Sequence, residues 1–284
     1  MNTVKLPDGT SLPALGLGTW HMGESAASRA KEVAAVRLAL EIGYRVIDTA
    51  EMYGEGGAEE VVGQALAEAM RAGTVTREQV FIVSKVYPQN ASRAGVAAAC
   101  ERSLRRLRLD GIDLYLLHWP GPHPLRETVA GFEALQSQRR ITHWGVSNFD
   151  TDDMTALAAV PGGARCAANQ VYYSPSTRGA EFDLLPWQRA RVMPLMAYCP
   201  LDQGDLASDA ALQAVAERHA ATASQIALAW LIARGGVMPI PKAVREPHLR
   251  ANLAAADLVL DEADLTEIER RFPAPRRKQA LAMR

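Results

Sequence analysis

Asp48, Tyr53, Lys85 and His118 are the residues of this chain whose types and placement suit proton chemistry. Asp48 closes the apolar stretch Val46-Ile47, and Tyr53 follows it after the short segment Thr49-Ala50-Glu51-Met52. Lys85 sits inside the run Phe81-Ile82-Val83-Ser84-Lys85-Val86, where an ammonium must be paired or give up its proton. His118 ends the run Ile112-Asp113-Leu114-Tyr115-Leu116-Leu117. A lone acid after a strand is ordinarily a helix cap, and a lone Tyr or His is ordinarily a core residue. Acid, Tyr, Lys and His at neighbouring strand ends are harder to explain one at a time. Together they form a proton-donating device. A phenol with an ordinary pKa of about 10 is a poor acid near neutrality, and a neighbouring ammonium lowers that value. Asp48 would keep Lys85 charged and aimed, and His118 would hydrogen-bond a carbonyl oxygen as it is protonated. Reduction of an aldehyde or ketone needs this, together with a hydride that no side chain supplies, so a nicotinamide or flavin cofactor is implied.

Such a device needs a scaffold that brings strand ends together. Short apolar, β-branched runs at 14–20, 46–50, 81–86, 112–118, 141–148, 168–173, 192–198 and 237–242 read as strands buried on both faces. Helical patterns fill the intervals at 31–42, 58–71, 94–107, 125–138, 152–159, 209–218 and 224–234, and 246–255 and 261–271 close the chain. Gly43 and Gly73 read as glycine stops after the first two. The alternation predicts an α/β protein, a single (β/α)8 TIM barrel over residues 1–284. Val4-Lys5-Leu6 and Ser11-Leu12-Pro13 flank Asp8-Gly9, which predicts an N-terminal β-hairpin closing the bottom of the barrel. A doubly wound sheet would carry a glycine-rich phosphate turn after its first strand. Gly16-Leu17-Gly18 begins one, but His21 stands where the third glycine belongs.

With 31 Lys+Arg against 32 Asp+Glu, the chain lacks the basic excess of a nucleic-acid protein. No apolar run approaches the roughly 18 residues of a membrane helix, and the N-terminus has no apolar leader core. Cys100, Cys166 and Cys199 are odd in number and lack metal spacing, as expected of unpaired thiols in a cytoplasmic protein. His118 and His123 make a poor metal pair, and His21, His143 and His219 have no recognisable ligand context, so no metal is expected. The arginines of Glu101-Arg102-Ser103-Leu104-Arg105-Arg106-Leu107-Arg108 read as a solvated helix face, and the basic segment after Phe272 as a solvated end.

At these residues the chain resembles the aldo-keto reductase family of NAD(P)H-dependent barrels, most of all its bacterial diketogulonate and methylglyoxal reductase-like members. Gly18-Thr19-Trp20-His21-Met22-Gly23-Glu24 and Asp48-Thr49-Ala50-Glu51-Met52-Tyr53-Gly54 carry that likeness. The resemblance implies a catalytic tetrad of Asp48, Tyr53, Lys85 and His118, with Tyr53 as the general acid. It implies that Ser147, Asn148 and Gln170 hold the nicotinamide carboxamide and that Tyr198 stacks on the ring. Pro200, Leu201 and Asp202-Gln203-Gly204-Asp205 then cover the pyrophosphate, and Lys242, Ala243, His248 and Asn252 meet the adenosine end. Ala243 and His248 stand where NADPH-preferring members usually carry Ser and Arg, a loss that Arg245 on the same loop can offset. NADPH is the expected cofactor, with NADH use possible.

Trp20, Tyr87 and Trp119 lie just beyond strand ends and are expected to wall the substrate pocket, with Met22 and Phe149 as further candidates. The expected substrate is a small carbonyl compound, and the expected state a monomer. Two other functions compete. A cofactor-sensing regulatory subunit would not need a tuned proton donor. A Schiff-base lyase would need Lys85 neutral, which Asp48 opposes.

Overall fold

The computed structural model describes residues 2–283. Strands β1 (Thr3–Lys5) and β2 (Ser11–Pro13) pair antiparallel around the Asp8-Gly9 turn, with Val4, Leu6 and Leu12 buried beneath. Strands β3 (Leu17–Gly18), β4 (Val46–Asp48), β5 (Phe81–Val86), β6 (Ile112–Leu117), β7 (Ile141–Ser147), β8 (Asn169–Tyr172), β9 (Leu195–Tyr198) and β10 (Val237–Pro239) follow, each parallel to its neighbour in sequence. The ends of this sheet meet. Gly16 N donates to Pro239 O and Gly18 N to Pro241 O, and a parallel bridge joins Gly18 to Lys242. A Cβ at Gly18 would stand 2.7 Å from the carbonyl oxygen of Ile240, so the seam closes only over a glycine. The barrel is therefore the reason for Gly16-Leu17-Gly18, which is no phosphate turn.

The hairpin covers the N-terminal end of the barrel. Asp8 at its tip pairs with Nε2 of His143, near the start of β7, at 2.8 Å. Against the cost of partial burial, the hydrogen bonds of His143 and Thr10 hold the Asp8 carboxyl down at about 2. The opposite end of the barrel is left for the loops that follow the strands.

Helices α1 (Ala26–Ile42), α2 (Gly57–Arg71), α3 (Arg93–Leu107), α4 (Leu125–Ser137) and α5 (Thr151–Ala159) cover successive strand pairs. The chain stops α1 at Gly43 and turns just past α2 at Gly73, both in the left-handed region. α1 begins earlier than its apolar period suggests because Ser25 caps it, accepting from Ala27 N at 3.2 Å. The short α6 (Leu184–Arg189) gave no periodic signal over its six residues, which include Pro186. Helices α7 (Ala210–Arg218) and α8 (Ala223–Ala233) precede β10, and α9 (Glu246–Ala254) and α10 (Glu262–Arg271) follow it.

Several strands are shorter than their apolar runs. Val192 has φ +54° and Pro194 lacks an N–H, which delays β9, while Pro239 and Pro241 end the ladder of β10. The segment after Phe272 is mostly exposed, as its composition suggests, yet it is tethered to the barrel. Lys278 Nζ lies 2.7 Å from Asp152, 3.5 Å from Asp183 and 3.8 Å from Asp150, Arg178 binds the Phe272 carbonyl, and Leu281 packs on the core. Acidic residues at the N-terminal ends of α5 and α6 collect the cation, a long-range pairing with no local sequence signal.

Candidate active site

Backbone pairing continues past the strand ends and seats the polar residues. Asp48 is the last residue of β4, in register with Gly18 on one side and Val83 on the other. Beyond it Thr49 N donates to Val83 O and Glu51 N to Lys85 O, while His118 N donates to Val86 O and Asn148 N to Gln170 O. Tyr53 then opens a tight turn, Tyr53–Gly56, in which Gly54, Glu55 and Gly56 all have positive φ. The turn is wedged against the loop after β3, where a Cβ at Gly57 would lie 2.2 Å from Gly23 O. Glu51 ties the same loop outward, accepting from Tyr87 N at 2.8 Å, Asn90 Nδ2 at 3.1 Å and Arg102 at 3.0 Å. Arg106 likewise reaches the fully buried Glu59 at 3.1 Å. Arg102 and Arg106 thus turn inward to support the Tyr53 loop, correcting the reading of their helix face as wholly solvated.

Lys85 is the centre of the arrangement and is completely buried. Its Nζ donates to Asp48 Oδ1 at 2.6 Å, to Thr49 O at 2.9 Å and to the Tyr53 hydroxyl oxygen at 3.1 Å. Three acceptors match the three donors of an ammonium. Burial pulls Lys85 below the ordinary amine range and raises Asp48, and the attraction of the pair opposes both shifts. Gln170 Nε2 holds the other oxygen of Asp48 at 2.8 Å. A buried lysine with all three donors occupied has neither the lone pair nor the access a Schiff base needs.

Burial, reinforced by the Asp48 charge and Cys199, raises the Tyr53 hydroxyl well above its ordinary value. This corrects the expectation that Lys85 brings it down: desolvation of a phenolate outweighs one ammonium already paired with a carboxylate. The phenol is held protonated, as a donor must be, and Lys85 is placed to stabilise the phenolate that remains after transfer. His118 stands edge-on to Tyr53, with ring centroids 5.7 Å apart. Burial, then the Lys85 charge, holds its imidazole well below the usual histidine range, so the ring is neutral. With the folded-state value below the unfolded one, lowering pH through about 6.5 protonates the unfolded chain first and withdraws stability. Any rate that depends on neutral His118 should stay flat between pH ~6 and ~8. An acid-side loss of turnover with a midpoint near 6.5, absent in His118→Ala, would overturn that assignment.

A cavity of about 840 Å³ opens over this cluster. Asp48, Tyr53 and His118 line it, with Lys85 directly behind. Trp20 and Trp119 form walls beside them, and Ser147, Asn148, Gln170, Tyr198, Pro200 and Leu201 continue the surface. Lys242, His248 and Asn252 also line it. Four expectations fail. Tyr87 does not line the cavity but stands edge-on to Trp119 at 5.9 Å. Met22 and Phe149 are buried in the core, and Ala243 is buried outside the lining. His21, for which no ligand context was evident, lines the cavity with Nδ1 2.7 Å from Glu24. Its position directly after Trp20 was the available signal. Thr222, Ser224 and Ala251 also line the cavity and carried none, since they come from helix starts and faces distant in sequence.

The donor set suits an elongated anionic dinucleotide, with Lys242 and Arg245 as cations and Ser147, Asn148 and Gln170 as amide and hydroxyl partners near the proton donor. The aldo/keto reductase family model matches residues 14–271. The chain belongs to this family. It is 50% identical over 278 residues to the methylglyoxal reductase YeaE of Escherichia coli, covering 96% of this chain and 95% of that protein. The glyoxal reductase of Bacillus subtilis is 34% identical over 268 residues, covering 94% and 92%. Among solved structures, an aldo/keto reductase from Klebsiella pneumoniae in complex with NADP and acetate superposes with a TM-score of 0.94 at 48% identity, covering 99% of each chain. Against that family background, the barrel seam at Gly18 and the wedge of Gly57 against Gly23 explain two stretches of the sequence as geometry that positions Asp48 and Tyr53.

Proposed function

We propose that this aldo/keto reductase uses NADPH to reduce small aldehydes, dicarbonyls and ketones to alcohols. The observation that carries the reading is Lys85 bridging Asp48 and the Tyr53 hydroxyl, at 2.6 and 3.1 Å, in the floor of a cavity with dinucleotide-type partners. Bound there, NADPH supplies the hydride. Tyr53 gives its proton to the carbonyl oxygen as that oxygen gains negative charge, and Lys85 stabilises the phenolate left behind. His118, neutral, orients the same oxygen through Nε2, and Trp20 and Trp119 exclude water and flank the substrate. Ser147, Asn148 and Gln170 would hold the carboxamide, Tyr198 would meet the ring, and Pro200 and Leu201 would cover the pyrophosphate. Lys242, Arg245, His248 and Asn252 would receive the adenosine end. The same reading takes residues 1–284 as one barrel domain, monomeric and cytoplasmic, with no metal and no nucleic-acid or membrane partner. Among the described residues no helix is long and apolar enough to cross a membrane, and no group of side chains is arranged to hold a metal ion.

Following NADPH oxidation with methylglyoxal and an aromatic aldehyde tests the proposal. Turnover of either is expected; tight NADPH binding with no turnover across a broad carbonyl panel would favour a regulatory subunit instead. Cofactor preference is a separate outcome. Lys242 and Arg245 supply charge for a 2′-phosphate, while Arg245 is 2.8 Å from Nε2 of His248, whose imidazole lacks the fork of donors that a guanidinium offers a phosphate. A higher kcat/KM with NADPH than with NADH is expected, and His248→Arg should widen the gap roughly tenfold. Equal or better efficiency with NADH in the unaltered protein would overturn the NADPH preference.

A further inference from the structure

Asn148 joins two parts of the site that no local sequence pattern links. Its Oδ1 accepts the Tyr198 hydroxyl at 2.8 Å, and its Nδ2 donates to the His118 carbonyl at 3.1 Å and to Ser147 Oγ at 3.2 Å. The amide thus ties the end of β9 to the residue that follows β6, across the mouth of the barrel. The backbone at Asn148 has φ +61°, a region asparagine tolerates better than most residues, so both backbone and side chain call for this residue type.

The tie matters because of what His118 lacks. Its Nδ1 is buried with no hydrogen-bond partner among the described residues. Histidines that act on a substrate are usually aimed by a bond to the second ring nitrogen. Here the ring is aimed by its main chain and by packing against Trp119 and Tyr53, with centroids at 4.9 and 5.7 Å. A hydrogen bond to the His118 carbonyl therefore carries orientation that a second ring contact would otherwise supply.

We infer that the Tyr198 hydroxyl, acting through the Asn148 amide, is a positioning group for His118, distinct from any contact the Tyr198 ring makes with cofactor. The inference rests on the carbonyl-reductase reading above. Its consequence is that the platform under the hydride donor and the group orienting the acceptor move as one unit.

Tyr198→Phe removes the hydroxyl and keeps the ring. NADPH affinity, read by fluorescence quenching, should stay within about twofold, while kcat falls roughly fivefold to tenfold, the loss of one hydrogen bond. The decisive readout is a double-mutant cycle: in a His118→Ala background, Tyr198→Phe should cost nothing further. Asn148→Asp keeps an acceptor for Tyr198 but loses the donor to His118, and should reproduce the kcat loss. In cofactor-free protein labelled with 15N-histidine, the His118 ring signals should shift or broaden in Tyr198→Phe. An undiminished cost of Tyr198→Phe in the His118→Ala background, or a parallel weakening of NADPH binding, would overturn the inference. If the unaltered protein binds NADPH and reduces nothing, the functional reading fails by itself. The ring signals then decide: unchanged in Tyr198→Phe, they overturn the positioning role as well.

Discussion

Tyr53→Phe should lower carbonyl turnover by about 10³-fold while leaving NADPH affinity and thermal stability nearly unchanged. The phenylalanine keeps the ring that packs beside His118 and loses only the oxygen that accepts from Lys85 at 3.1 Å. Lys85 retains Asp48 and Thr49 O as partners, so the structural cost is that of one hydrogen bond, about 0.5–1.5 kcal/mol. The catalytic cost is larger because nothing else is placed to give a proton. His118 is held neutral by burial, the Lys85 ammonium faces Asp48, and water would have to enter between Trp20 and Trp119. Parallel measurement of NADPH binding by quenching and turnover by absorbance separates the two costs. A variant that retains turnover within tenfold would place the proton donor elsewhere, and one that loses NADPH binding would make Tyr53 a cofactor residue.

The scaffold was legible because a barrel strand buried on both faces leaves a continuous apolar run, and eight such runs alternate with helical periods. What the pattern could not show was where each run stops being a strand. Gly18 ends β3 at a seam with Ile240 that involves opposite ends of the chain, and Val192 delays β9 through a left-handed backbone that a β-branched residue seldom adopts. α6 escaped because six residues are too few for a helical period. The tether of the segment after Phe272 was hidden because Asp150, Asp152 and Asp183, which receive Lys278, stand at the N-terminal ends of helices formed more than 90 residues earlier.

For the site, types and strand ends were enough to bring Asp48, Tyr53, Lys85 and His118 to one place, since the barrel directs all strand ends to one face. Directions beyond the strand ends were not. Tyr87 follows β5 and still turns behind Trp119, while His21 enters the cavity on a backbone with φ +63°. Asn148 takes φ +61° and spends its amide on Tyr198 and His118. The sign of the Tyr53 shift was equally hidden. It depends on how completely the phenol is desolvated relative to one paired ammonium, a balance of three-dimensional burial rather than of residue types.

Lys85→Met should separate what the ion pair does for stability from what it does for chemistry. Methionine fills the volume of a fully buried lysine without its charge, leaving Asp48, 2% exposed, with Gln170 as its remaining side-chain partner. An uncompensated buried carboxylate is destabilising by about 3–5 kcal/mol. Asp48 is already raised above its ordinary value by burial, and loss of Lys85 removes the cation that opposes the rise. Its folded-state value then exceeds the unfolded one, so this stability is present at low pH and lost as pH rises through the unfolded value of about 4 toward the folded one. The variant should therefore melt closer to the unaltered protein at pH ~5 than at pH ~8. Adding Asp48→Asn removes the stranded charge and keeps an oxygen that can accept from Gln170, so the double variant should regain most of the lost stability. Turnover should not return: without an ammonium beside Tyr53 the phenolate is unsupported, and a loss of about 10²-fold or more persists in both variants. Melting curves at the two pH values and single-turnover rates decide the matter. If the double variant recovered turnover with stability, Lys85 would be a folding element of the barrel and the charge beside Tyr53 would have no catalytic part.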